Sequence, residues 1–162
     1  MDLDHIELCF SQAEGTPIRG RPLVDALRQR IKRAKRSIVM CSCEFTSSTD
    51  FILNDVLRNQ LLSGRSVTVY GNDRGQMGAM KDAYGNLGMK TLAWVSPRKN
   101  SLFHIKATVV DDQWVYMGSA NMSHNAMANS AEWGLIGNSP DICQELLAYV
   151  DELESTGLFE EV

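Results

Sequence analysis

The sequence predicts an α/β fold: a mixed β-sheet sandwiched between α-helices, in a single domain spanning residues 1–162. Three observations predict it. Short β-rich apolar runs alternate with longer runs of helical periodicity along most of the chain. Two β-like runs near the end, FHIKATVVDD and WVYMGS, are separated only by a tight turn at Asp111-Asp112-Gln113, so an antiparallel pair joins the sheet. The chain has 162 residues, enough for one core without staples, and shows no repeat, linker or low-complexity tract.

The elements follow in order. IELCF is a short strand, and GTPIRGRP, with two glycines and two prolines, is a loop. RPLVDALRQRIKRAKR places Leu23, Val24, Leu27, Ile31 and Ala34 on one helical face, with Arg21, Arg28, Lys32 and Lys35 as a separate basic stripe. SIVMCSCEF is a strand. TDFILNDVLRNQLLSG is a helix with Ser48 or Thr49 as cap and Gly64 as stop. RSVTVYGN is a strand, MGAMKDAYGNLG a shorter helix weakened by its glycines, and MKTLAWVS a strand ending near Pro97. FHIKATVVDD, WVYMGS and SAEWGLIGN supply the last strands. SPDICQELLAYVDELESTG is a capped amphipathic helix with Ile142, Leu146, Tyr149, Val150 and Leu153 on one face.

Composition limits the function classes. Hydrophobic residues make up 44% and charged residues 22%, ordinary for a soluble globular protein. No apolar run approaches the roughly 18 residues that span a bilayer, and MDLDHIELCF lacks the basic and apolar regions of a signal peptide. A soluble, cytoplasmic protein without stable membrane insertion is expected. Cys9, Cys41, Cys43 and Cys143 show no metal-ligand pairing and read as small buried hydrophobes in a reducing compartment. The net charge of −4 hides an asymmetry. All 16 Lys and Arg lie at or before Lys106, against 10 acidic residues there, giving +6; beyond Lys106 lie 10 acidic residues and no Lys or Arg, giving −10. Eight of the basic residues fall between Arg19 and Arg36. Such a chain has one basic surface.

The chemistry gathers in FHIKATVVDD. On a strand His104, Lys106 and Thr108 share one face, while Ile105, Ala107 and Val109 face a core. The imidazole and ammonium are then expected about 7 Å apart, a span that suits gripping one small anion. Lysine brings a point charge and three donors; histidine serves as nucleophile or proton carrier near neutral pH. In GSANMS, Gly118 allows close backbone approach, and Ser119 and Asn121 are short donors at a strand end, able to complete an oxyanion-type cage. Glu132 is a carboxylate suited to accept from one imidazole nitrogen and fix its tautomer. An ordinary polar strand face accounts equally well for any one of these residues alone.

Together, HIKATVVD followed by GSANMS resembles the HxKxxxxD…GSxN signature of the phospholipase D superfamily. The likeness is closest to its small single-motif bacterial endonucleases, in which the catalytic glutamate follows the motif histidine at the interval seen between His104 and Glu132. CFSQAEG, SIVMCSCEFTS and VTVYGNDRGQMG extend the resemblance over nearly the whole chain, so the fold it implies is a phospholipase D-like half with one motif per chain. The resemblance implies that His104 attacks phosphorus and forms a covalent phosphohistidine. It implies that Lys106 and Asn121 bind phosphoryl oxygens with Ser119 helping, and that Glu132 orients His104. Asp111 matches the motif aspartate, in a mainly structural role before its turn. Trp133 departs from the pattern, which often has a polar residue after the glutamate, and this bears on substrate selection.

The superfamily uses two such motifs per active site, and this chain has one: His5 is followed by Ile6 and Glu7, and His124 by Asn125 and Ala126. The expected partner is a second copy on a two-fold axis, one histidine attacking while its mate protonates the leaving oxygen. No carboxylate cluster with ligand spacing lies near the motif, so neither metal nor other cofactor is expected. Arg28, Lys32, Lys35 and Arg74 are candidate contacts for the nucleic-acid substrate, DNA or RNA, while a solvated face is the alternative reading of the helix stripe. His124 reads as an exposed loop residue. Trp94, Trp114 and Trp133 read as core or subunit-interface residues, and Glu44 and Thr46 are candidate neighbours of the site. Two other functions remain open: a phospholipid-cleaving enzyme of the same chemistry, and a non-catalytic nucleic-acid-binding or assembly module. The chain is either a whole protein or part of a larger protein or complex.

Overall fold

The structure, a computed structural model, describes residues 6–17, 19–46, 51–96 and 98–162. Its strands are β1 (Ile6–Phe10), β2 (Arg21–Pro22), β3 (Ser37–Ser42), β4 (Ser66–Gly71), β5 (Lys90–Trp94), β6 (Ala107–Val110), β7 (Trp114–Gly118), β8 (Trp133–Asn138) and β9 (Phe159–Glu161). Its α-helices are α1 (Leu23–Lys32), α2 (Asn54–Leu62), α3 (Arg74–Tyr84) and α4 (Pro140–Ser155). The strands form one sheet in the order β2-β1-β8-β7-β6-β3-β4-β5-β9. It is mixed: β3, β4 and β5 run parallel through helical crossovers, whereas β6 runs antiparallel to both β3 and β7.

Alternation along the strands feeds two cores. Ile38, Met40, Val67, Val69 and Val110 pack with α1, α2 and α3 on one side. On the other, Val109 and Val115 meet Cys143 of α4, while Cys41, Tyr70 and Phe103 meet Val150. The helices therefore enclose the sheet from both faces, as the alternating pattern predicts. Burial pushes the thiols of Cys9 and Cys143 up to about 11 and that of Cys41 to about 12. All three behave as small apolar side chains.

Several local expectations are corrected. The run from Phe103 is not all strand, because β6 begins at Ala107 and residues 101–106 lead into it as irregular chain. The basic stripe is not all helix: α1 covers 23–32, so Arg21 lies in β2 and Lys35 beyond the helix end. Ser48, Thr49 and Pro97 lie outside the described residues, and α2 starts at Asn54 with no side-chain cap bond. α4 likewise lacks a side-chain cap bond; Pro140 in its first turn presets the helical φ instead. SAEWGLIGN is not the final strand, since β9 adds to the far edge beside β5.

The β6–β7 turn is held from outside. Asp111 and Asp112 have φ of 57° and 58°, the left-handed conformation that Asp tolerates and that both central residues of a type I′ turn adopt, and the Gln113 N–H closes the turn on the Val110 carbonyl at 3.2 Å. The Asp111 carboxylate accepts from the backbone N–H of Lys35, Arg36 and Ser37 at 2.9, 2.7 and 3.1 Å, joining the turn to the start of β3. Burial pushes this carboxyl up, but the three N–H donors and the Arg36 charge outweigh it and hold its pKa below the ordinary range. Asp111→Ala is expected to cost about 2 kcal/mol by stranding those donors, read as a lowered denaturant midpoint. Because the folded pKa is the lower one, this contribution is complete above the unfolded value near ~3.9 and fades as pH falls through the folded value. The gap between wild type and variant should therefore narrow only below about pH 4.

Candidate active site

The topology brings one end of the sheet together. The C-terminal ends of β1, β3, β4 and β7 meet the N-terminal ends of β6 and β8 there, as the registers Cys41↔Ala107, Ala107↔Met117, Gly118↔Gly134 and Phe10↔Trp133 require. Every residue of the expected catalytic set lies at this end.

His104 and Lys106 sit on the lead-in to β6. The Phe103 N–H donates to Asn72 Oδ1 at 3.0 Å, fastening the segment to the end of β4. The Gly118 N–H donates to the Lys106 carbonyl at 3.2 Å, fastening it to β7. His104 is exposed and Lys106 half-buried. Their tips are not 7 Å apart. Lys106 Nζ lies 3.1 Å from His104 Nε2 and 3.4 Å from Nδ1. Strand rise sets the backbone spacing, but the flexible four-carbon lysine stem folds back over the ring. Thr108, third on this face, is fully buried and is not part of the site.

Gly118 leads to the donor segment. A Cβ there would lie 2.4 Å from the Trp133 carbonyl and 2.7 Å from Tyr116 Oη, so a side chain would part β7 from β8. That contact carries Ser119 to Glu132: the Ser119 hydroxyl donates to Glu132 Oε2, and the Ser119 N–H donates to the Trp133 carbonyl at 2.9 Å. The Trp133 N–H returns a bond to Ser119 Oγ at 3.1 Å. The expected hydrogen bond from His104 to Glu132 is not present among the described residues; the carboxylate is held by Ser119 instead. Asn121 Nδ2 donates to Glu44 Oε2 at 3.3 Å, so Glu44 does border the site. Thr46 does as well, its hydroxyl accepting from the His124 N–H at 2.7 Å.

Two serines that the sequence reading missed hold these pieces in place. Ser42, fully buried, donates to the Glu44 carbonyl at 2.7 Å and accepts from the Met122 N–H at 2.9 Å, tying the end of β3 to the Asn121 segment. Ser11 donates to the Ser130 carbonyl and accepts from the Glu132 N–H at 2.8 Å, tying the end of β1 to the glutamate. Nothing in the primary sequence pairs residues 119 positions apart.

The basic residues expected to meet substrate divide. Arg74 opens α3 at the site end, ion-paired to Glu160 of β9. Arg28 forks onto both oxygens of Asp55 at 2.6 Å and onto the Ile52 carbonyl, so its donors are engaged within the fold. Lys32 ends α1, and the Lys35 backbone bonds to Asp111 at the opposite end of the sheet from His104. Among the tryptophans, Trp94 packs on Phe103 and Phe159, and Trp114 is buried beneath Arg30. Trp133 is 52% exposed beside the site. Among the described residues, no group of three or more His, Cys, Asp or Glu is placed to hold a metal ion.

Comparison with known proteins identifies the family and the fold. A family model described as cardiolipin synthase, PLD-like domain, matches residues 27–154. No curated protein sequence matches. Among solved structures, NucT from Helicobacter pylori superposes with a TM-score of 0.70 at 20% identity, covering 86% of this chain and 90% of that one. Nuc from Salmonella typhimurium, a phospholipase D family member, gives 0.70 at 22% identity and 97% of both chains. Phosphatidylserine synthase from Haemophilus influenzae Rd KW20 gives 0.70 at 16% identity, covering 97% of this chain but 40% of that one.

Proposed function

The chain belongs to the phospholipase D-like family and is a phosphodiesterase of that type, and from this premise we propose that it is a metal-independent endonuclease working through a phosphohistidine. The observation that carries the proposal is the convergence of His104, Lys106, Ser119, Asn121 and Glu132 on one exposed end of the sheet. An imidazole nitrogen of His104 attacks phosphorus, the N–P bond forms, and the ester P–O bond to the leaving oxygen breaks. Lys106 and Asn121 hold the non-bridging oxygens while negative charge redistributes onto them. Water then attacks phosphorus, breaks the N–P bond and returns His104. Glu132, fixed by Ser119, supplies the negative charge that steadies the imidazolium.

The leaving oxygen needs a proton in the first step, and the attacking water must lose one in the second. His104 is engaged with phosphorus during both. We assign the second imidazole to a second copy of the chain, so that two subunits share one site. An apolar strip beside the site supports this. Leu8 pairs with Leu135, and Phe10 with Trp133, on one sheet face; Leu8 and Trp133 are each 52% exposed, while α4 packs farther along on β7 and β9. A patch of this kind is the usual mark of a protein interface.

Phospholipid as substrate is the second reading, favoured by the description of the family model. No helix among the described residues is long and apolar enough to cross a membrane. One assay separates the readings: labelled single- and double-stranded DNA, RNA and phospholipid vesicles, each incubated with the protein in EDTA. Cleavage of polynucleotide in EDTA is expected, at a rate within about twofold of that with magnesium, because the nucleophile is a side chain. Hydrolysis of vesicle lipid with polynucleotides left intact transfers the assignment to the phospholipid enzyme. Full loss in EDTA, restored by magnesium, defeats metal independence.

A further inference from the structure

The end of the sheet opposite His104 carries the basic residues that the active site does not use. Two adjoining grooves open there and share Arg30 and Arg33. The first, a cavity of about 310 Å³ between α1 and the β1–β8 strands, adds Arg21, Gln29, Trp114, Asn138 and one carboxylate, Glu7, which is paired with Arg21. The second runs past Lys35 and Arg36 to the β6–β7 turn. Cations in the last turn of a helix complement its dipole, which accounts for Arg30 and Lys32 of α1. It does not account for Arg33 and Lys35 beyond the helix.

Pairing within the fold takes up part of this charge: Arg21 lies 3.8 Å from Glu7 and Arg36 3.5 Å from Asp112. Among the described residues, no carboxylate oxygen lies within 4.0 Å of the Arg30, Arg33 or Lys35 side-chain nitrogens. The Asp111 carboxylate in the second groove is taken up by backbone N–H groups. Arg30 is pre-positioned: its guanidinium lies 6.0 Å from the Trp114 ring centre and reaches Asn138 Oδ1 at 3.4 Å, while its Nε is buried without a hydrogen-bond partner among the described residues. A guanidinium stacked on an aromatic face keeps its remaining donors aimed outward, in the fork that suits phosphate oxygens.

We propose that these joined grooves are a second nucleic-acid-binding site, which holds the phosphate backbone of a polynucleotide away from the cleavage site. The polymer as ligand rests on the nuclease reading; the anion-binding groove does not. Arginine-rich, elongated grooves match a chain of phosphates better than a bilayer surface. Among the described residues, none of the exposed large hydrophobics Leu8, Leu62, Val95, Leu102, Trp133 and Tyr149 lines either groove, so no apolar wedge accompanies the charge as membrane insertion would require. The separation of the two sites is structural. Three strand steps from Ala107 to Val110 set them roughly 10 Å apart along β6 alone. A polymer held at one site is delivered to the other at raised effective concentration, while a small diester gains nothing.

The test uses Arg33→Glu, with Arg33→Lys as the charge-preserving control and Arg30→Gln/Arg33→Gln as an independent second variant. Arg33 is exposed and makes no described side-chain contact, so the fold should hold. Anisotropy of a labelled 40-base-pair duplex, titrated at several salt concentrations, reads binding directly. Arg33→Glu is expected to weaken it about tenfold at ~0.1 M salt, and the double glutamine variant to make the log–log salt slope shallower by about two. Arg33→Lys should restore most of the affinity. Turnover of bis(p-nitrophenyl) phosphate, read in parallel, reports the catalytic site alone and should not change. If wild type fails to turn over that diester, the nuclease reading falls while the binding result stands. Unchanged affinity and salt slope in both variants would overturn the second site. So would a loss of binding confined to phosphatidylserine vesicles with the duplex unaffected, which would make the groove a membrane contact.

Discussion

His104→Ala is expected to lower phosphodiester turnover by about 10⁴-fold or more while leaving the fold intact. The size follows from the role. Without the imidazole the proposed nucleophile is gone, and what survives is the binding and charge stabilisation of Lys106, Ser119 and Asn121. The intact fold follows from the surroundings. His104 is exposed and its described side-chain contacts go only to Lys106 Nζ, so truncation opens no cavity. Its effect on stability should stay within about 0.5 kcal/mol. Lys106→Ala is expected to cost about 10²–10³-fold through lost stabilisation of the phosphoryl oxygens. Glu132→Gln should lower the rate without unfolding, because an amide oxygen can still accept from Ser119. Stopped-flow turnover of a chromogenic diester, paired with thermal unfolding of each variant, checks all three. Wild-type rates from a homogeneous His104→Ala preparation would remove His104 as the nucleophile.

What the sequence made legible and what it hid divide along physical lines. The first and last helices carry strong periodicity, the central strands are β-rich runs, and the tight turn at Asp111-Asp112-Gln113 is local; all of these reappear in the structure, with α3 beginning at Arg74, ahead of the MGAMKDAYGNLG run. β2 and β9 are two and three residues long, too short for any period, and only partners distant in the chain make them strands. The site residues were legible because they are close in sequence: one motif places His104 and Lys106, and the next places Gly118, Ser119 and Asn121. Contacts at long range were not. Ser11 and Ser42 are ordinary hydroxyls until the sheet sets one against the Glu132 backbone and the other against Met122. The Ser119 partner of Glu132 was missed for the same reason. The resemblance implied that Glu132 orients His104, and the Gly118–Gly134 register brings Ser119 to its carboxylate. Direction misplaced the basic stripe: α1 runs away from the site, so its last turn and the cations beyond it arrive at the far end of the sheet.

Mixing wild-type and His104→Ala chains is expected to give mixed dimers that are nearly inactive. In a shared site, one His104 attacks phosphorus and the other transfers the proton, so a mixed dimer lacks one of the two steps whichever chain supplies the remaining imidazole. After exchange of equal amounts, about half of the dimers are mixed and about a quarter are wild type. Activity per wild-type chain should then fall to about half that of the unmixed enzyme. Two independent sites would leave it unchanged. The exchange itself must be shown, by light scattering or sedimentation of the mixture and by recovery of differently tagged chains in one particle. The apolar strip supplies a second handle on the same assembly. Trp133→Glu places a charge on the exposed face beside Phe10 without entering the core, and a charge buried unpaired at an interface is strongly unfavourable. That variant should shift toward monomer and lose diester turnover together, with recovery of both at raised protein concentration. A monomeric protein with full activity, or activity strictly proportional to wild-type chain content after proven exchange, would confine the whole reaction to one chain and require a second proton carrier within it.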